Sequence, residues 1–132
     1  MANNEPSELT RNQSLVMDAL NAAKAPMSAY TILDELRDSG FRAPLQVYRA
    51  VEKLQQMGLV HRLESLNAFV ACRHPACSKH ETVIFMICNT CGIANEVTDS
   101  ALARRLEKIS EERNFSPASS TVELLGTCAT CH

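Results

Sequence analysis

Cys88 and Cys91 in "ICNTCG", and Cys128 and Cys131 in "GTCATCH", form two pairs of identical spacing. Two such turns can bring four thiolates to one Zn²⁺ in a tetrahedron, each sulfur about 2.3 Å from the ion. The two-residue spacer lets a pair approach the ion from one tight turn. Gly92 and Gly126 stand where the backbone can need a positive φ. The 36 residues between Cys91 and Cys128 (128 − 91 − 1) are more than a simple zinc ribbon has. Buried free thiols and a redox pair are the alternatives. A redox pair would open a helix after a strand and would not need a second copy. A structural zinc on these four residues would tie the end of the chain to its middle, in a domain too small to hold together by burial alone.

The remaining metal-binding residue types are His61, Cys72, His74, Cys77, His80 and His132. A distributed set of His61, Cys72, His80 and Glu96 would give four-coordinate zinc, its carboxylate oxygen lowering affinity relative to an all-thiolate site. A local set uses Cys72, His74, Cys77 and His80, all within nine residues. Singly, His61 reads as a strand histidine, Cys72 as a core thiol and Glu96 as a solvated charge. Spacing does not decide between the sets.

These residues must be positioned by a small framework. From Thr10, a possible N-cap, Leu15, Val16, Ala19, Leu20 and Ala23 form one apolar stripe of a helix. Ser28 can cap a second helix, "AYTILDELRDSG", with Ile32, Leu33 and Leu36 inward and Gly40 past its end. Pro44 suits the first turn of a third, where Leu45, Tyr48, Val51, Leu54 and Met57 recur at helical spacing until Gly58. Alternating residues 59–63 and 68–72, separated by "ESLN", predict a hairpin. Three helices and a hairpin outline a winged helix-turn-helix over residues 1–73, with 1–9 as a tail. Residues 74–81 read as a polar hinge. Residues 82–132 predict β-β-α-β, with Asp99 capping the helix that carries Leu102, Leu106 and Ile109 on one side. The expected class is α+β.

Composition narrows the function. At 132 residues, 45% apolar and 21% charged, the chain suits one or two soluble domains. No run approaches the roughly 20 apolar residues of a membrane span, and the polar, acidic N-terminus is not a secretory signal. The expected location is the cytoplasm, where cysteine pairs are more often metal ligands than disulfides. Net charge is −2, so nucleic-acid binding would need basic groups gathered on one face. No general-base constellation or pocket-forming loop points to an enzyme or a small-molecule substrate.

The segments "SAYTILDELR", "VYRAVEKLQQMGLVHRLESLNAFVAC", "ICNTCGIANE" and "LLGTCATC" resemble, in order and spacing, the ferric uptake regulator superfamily, and within it the zinc uptake regulators most. The resemblance runs from Leu9 to Cys131. It implies a homodimeric, metal-sensing repressor with a winged-helix DNA-binding domain and an α/β dimerisation domain, acting on an A·T-rich palindromic operator. It also implies two Zn(II) per chain: a structural one on Cys88, Cys91, Cys128 and Cys131, and a regulatory one on His61, Cys72, His80 and Glu96. Contacts to DNA fall on Tyr30, Tyr48 and Arg49. Arginine can bond guanine N7 and O6 together, and tyrosine offers a ring to thymine methyls and a hydroxyl to phosphate; helix packing is the rival role for Tyr48. Gln46 stands where the superfamily usually has threonine, and Gln13 where an arginine is common. The His-rich segment of iron sensors is missing. A thiolate at Cys72 favours zinc over iron, since it is soft and oxidises readily beside iron. The rival readings are a family member sensing iron or manganese and a zinc-stabilised interaction module that senses nothing.

Overall fold

The structure is a computed structural model that describes residues 9–73 and 82–132. His74, Cys77 and His80 lie outside the described residues, as do most of the expected tail and the hinge. The chain divides into two units between Cys72 and Arg73.

The first unit opens with α1 (Arg11–Ala22), α2 (Ala29–Glu35) and α3 (Pro44–Gln56). Each start has a side-chain reason. Thr10 Oγ1 accepts from the Gln13 N–H while Gln13 Oε1 accepts from the Thr10 N–H, a reciprocal pair that satisfies two donors at the start of α1. Ser28 Oγ accepts from the Thr31 N–H at the start of α2. At α3, Pro44 occupies the first position, and Gln46 Oε1 accepts from the N–H groups of Arg42 and Ala43 at 2.6 and 3.0 Å. The helix expected from Ala29 to Gly40 stops at Glu35 and tightens into a 3₁₀ turn, Arg37–Ser39, ending at Gly40 with φ of 106°. Gly58, with φ of 77°, follows α3.

The buried face of α3 is Val47, Ala50, Val51 and Leu54. The stripe expected from sequence, through Leu45, Tyr48 and Met57, is therefore rotated: those three side chains are exposed, and only Val51 and Leu54 face inward. Val16 and Leu20 of α1 and Ile32, Leu33 and Leu36 at α2 meet that face. The hairpin follows as β1 (Val60–Leu63) and β2 (Ala68–Ala71), antiparallel, with Val60 opposite Ala71. Asn67, at φ of 50°, closes its turn. Met27 and Phe69 exchange two backbone hydrogen bonds, pinning β2 to the segment before α2. This is the winged helix-turn-helix.

The second unit has β3 (Val83–Cys88), β4 (Ala94–Val97), α4 (Ser100–Glu112) and β5 (Thr121–Gly126). The sheet order is β4-β3-β5, with β4 antiparallel and β5 parallel to β3. Asp99 Oδ1 accepts from the N–H groups of Ala101 and Leu102, capping α4. Burial here is concentrated on the central strand: Val83, Ile84, Phe85, Ile87 and Cys88 are buried, whereas α4 has no buried residue. The fold is α+β, and among the described residues no helix is long and apolar enough to cross a membrane.

Candidate metal centre and nucleic-acid face

The parallel pairing of β3 with β5 ends with Cys88 opposite Gly126. Both strands therefore run out at the same level, and the turns that follow them emerge side by side. Gly92, at φ of 81°, lets the first turn double back, with its N–H bonded to the Cys88 carbonyl at 2.9 Å. Gly126 is different from expectation: it ends β5 without a positive φ, because the second turn begins after it. Residues 128–131 close by a Cys131 N–H to Cys128 carbonyl bond of 3.0 Å.

The sulfurs of Cys88, Cys91, Cys128 and Cys131 all lie within 4.8 Å of one another. Cys91 Sγ and Cys128 Sγ are 3.8 Å apart. A regular ZnS₄ tetrahedron with bonds of about 2.3 Å has edges of about 3.8 Å, so the donor set and its spacing fit zinc. Cys88 is the buried anchor. Its sulfur accepts from the N–H groups of Cys91, Cys128 and Thr90, each at 3.4 Å. Those of Cys91 and Cys128 do most to hold its thiol down at about 5, against an ordinary 9.0. Cys131 is pushed up to about 12, chiefly by hydrogen bonding with Cys128 and then with Cys88. The Ile93 N–H pulls Cys91 down, yet its bonding to Cys88, its burial and its bonding to Cys128 leave it raised. The cluster thus favours a thiolate at Cys88 beside protonated Cys91 and Cys131, and a bound cation would draw off those protons.

In the first unit, β1 and β2 place His61 and Cys72 on one face. His61 lies opposite Val70, and the Cys72 N–H donates to the Leu59 carbonyl at 2.8 Å, making Cys72 the diagonal neighbour of His61. Their ligand atoms lie within 4.8 Å of each other, and both residues are half-buried. Cys72 is disulfide-bonded here, so it would act as a ligand only once reduced, since metals take the thiolate. Glu96 belongs to the second unit, on β4 opposite Phe85, and its carboxylate accepts from the Arg73 N–H at 3.1 Å.

The three residues expected to contact DNA also lie in the first unit. Tyr30, in the first turn of α2, is 65% exposed. Arg49 is exposed on the outer face of α3. Tyr48 is 39% exposed, its ring meeting Phe69 edge-on at 6.4 Å between centroids, so both the packing role and an outward role have a physical basis. The capping by Gln13 and Gln46 was missed from sequence. Its signal was a glutamine at the third helical position, three residues after Thr10 or Ala43.

The Ferric uptake regulator family model matches residues 7–125. The Zinc uptake regulation protein of Escherichia coli (strain K12) is 31% identical over 124 residues, 93% of this chain and 72% of that one. Among solved structures, holo XcZur is 39% identical with a TM-score of 0.82, the match covering 92% of this chain and 84% of that one. A zinc uptake regulator complexed with zinc and DNA is 29% identical with a TM-score of 0.85, covering 93% and 82%.

Proposed function

The chain belongs to the ferric uptake regulator family, and from that premise we propose that it is a zinc-responsive transcriptional repressor, a cytoplasmic homodimer that closes on operator DNA and represses zinc-uptake genes. The observation that carries this reading is the likeness, over 93% of the chain, to a zinc uptake regulator solved with zinc and DNA.

In this reading Cys88, Cys91, Cys128 and Cys131 hold a structural ion, and the convergence of their sulfurs supports it. His61, reduced Cys72, His80 and Glu96 hold a second, regulatory ion. The shared face of His61 and Cys72 and the thiolate–imidazole–carboxylate donor set support that assignment. Zinc supplies a Lewis acid that binds these donors without redox chemistry. Two of the donors belong to the hairpin, His80 to the expected hinge and Glu96 to the second unit. Engaging all four restricts the freedom between the two units, which sets the distance between the recognition helices of a dimer. With the four disengaged, the DNA-competent geometry is a minor population. α3 then presents Tyr48 and Arg49 to the major groove of an A·T-rich palindrome, with Tyr30 beside them.

A DNA-binding titration in buffered free zinc tests the reading, using reduced protein whose four-cysteine site is already full. Affinity should rise steeply with free zinc, and Cys72→Ser should remove the rise while leaving a folded dimer. Binding that is flat in zinc, or that follows iron or manganese instead, would overturn zinc sensing.

A further inference from the structure

Leu45 is an unusual residue to leave in water. It is 55% exposed, in the first turn of α3 directly after Pro44. Helical spacing puts Tyr48, Arg49 and Glu52 on the same side, with Arg42 just before the helix and Lys53 at its edge, and all of them are exposed. An isolated exposed leucine means little. This one lies at the N-terminal end of the outward face of α3, between Arg42 before the helix and Arg49 one turn on. Its neighbour Gln46 is already committed: its Oε1 accepts from the N–H groups of Arg42 and Ala43, which uses both acceptor sites of the oxygen that would otherwise bond an adenine amino group. Gln46 thus leaves the first turn with an apolar reader at its centre.

We propose that Leu45 is a specificity-determining residue that reads the 5-methyl group of a thymine in the major groove. This rests on the proposed role of α3 in DNA binding. In helix-turn-helix proteins the first turns of the recognition helix reach the base edges, and the thymine methyl is the one apolar group exposed there. Arg42 beside it matches the charge of a flanking phosphate, which positions the helix without reading sequence, and Arg49 one turn on keeps the guanine edge. Leu45 supplies no hydrogen bond, so it distinguishes thymine from the other bases by contact area alone.

The test uses the zinc-loaded, full-length dimer. Preferred half-sites are first selected from a random duplex library, and each thymine of the selected site is then replaced singly by deoxyuridine, which removes only the methyl group. One replacement per half-site should weaken binding about fourfold, roughly what one methyl's worth of buried apolar contact gives. In Leu45→Ala the same replacement should have no effect, while losses at other positions remain. Deoxyuridine losses that are the same in Leu45→Ala as in the parent chain, or no loss at any thymine, would overturn the assignment and leave the repressor reading standing. Failure to select any sequence at saturating zinc overturns both.

Discussion

Leu124→Ser is expected to weaken homodimerisation strongly while leaving the protomer folded. Leu124 lies on β5 directly beside Met86 of β3, so the two side chains share one face of the sheet, 53% and 41% exposed. Among the described residues β5 is also an edge strand, and an apolar edge left in water is a site for pairing with another chain. Fully burying a leucine is worth about 1.5–3 kcal/mol, so covering the exposed half returns roughly 1–1.5 kcal/mol per protomer. A two-fold interface counts the residue twice, giving roughly 2–3 kcal/mol, or about 30- to 150-fold in the dimer Kd. Within one protomer the side chain packs little, so zinc content and the circular dichroism spectrum should not change. Sedimentation velocity across a nanomolar-to-micromolar series reads the dimer Kd directly. A value within twofold of the parent's would show that this face stays in water in the dimer, refuting the placement of the interface.

Cys88→Ser removes the buried sulfur on which three N–H groups converge; it should lower zinc content by one ion per chain and destabilise the second unit, seen as zinc release to a chromogenic chelator and an early unfolding step. The metal-free, reduced protein should show one thiolate absorbance titrating near pH 5, absent in Cys88→Ser. Because folding depresses Cys88, its stabilisation is complete above the unfolded value of 9.0 and is lost as pH falls towards 5. Cys131 is raised to about 12, so its effect has the opposite sign and erodes stability as pH climbs from 9.0. Chemical denaturation of the metal-free protein should accordingly give a maximum near pH 9, and a monotonic profile would contradict the cluster's hydrogen bonding. Gln46→Ala returns two N–H groups at the start of α3 to water and should cost about 1 kcal/mol, whereas Gln46→Glu, which keeps the acceptor, should cost much less by thermal unfolding.

The order of elements was legible because each has a local cause. Thr10, Ser28 and Asp99 cap the helices expected of them, and Gly40 and Gly58 adopt positive φ after the 3₁₀ turn that follows α2 and after α3. The four-cysteine cluster was legible for a different reason: identical turns after strands of matching length need only one register to bring them together, and Cys88 opposite Gly126 is that register. The rotation of α3 was not legible. Leu45, Tyr48 and Met57 fit the helical period as well as Val47 and Ala50 do, and hydrophobicity ranks the larger residues first. What decides is where α1, α2 and the hairpin meet the helix: the core they form takes Val47, Ala50, Val51 and Leu54, and leaves Leu45, Tyr48 and Met57 on the outside. The glutamines at 13 and 46 were read as departures from a DNA-binding pattern. Their oxygens complete the starts of α1 and α3.

The two units differ in how far they can stabilise themselves, and this bears on mechanism. The first encloses a core fed by all three helices and the hairpin. In the second, burial falls on β3 and Thr82 beside it, while Ile109 on α4 and Leu124 and Leu125 on β5 remain in solvent. A unit of that size with so little enclosed surface needs something else to hold it. Two supplements are at hand: the four sulfurs that can bind an ion where β3 and β5 end, and the apolar faces that a second copy can cover. They act on the same strands, since β5 carries Leu124 and leads directly into Cys128. An ion that fixes the end of β5 also fixes the register of the edge offered to a partner, so filling the four-cysteine site and forming the dimer should be linked, each strengthening the other by the same factor. Chelation that empties the cluster should then raise the dimer Kd and dilution should loosen the zinc. If zinc removal left the dimer Kd unchanged, the metal would be holding the turns together without reaching the interface, and the two supplements would stabilise the second unit independently.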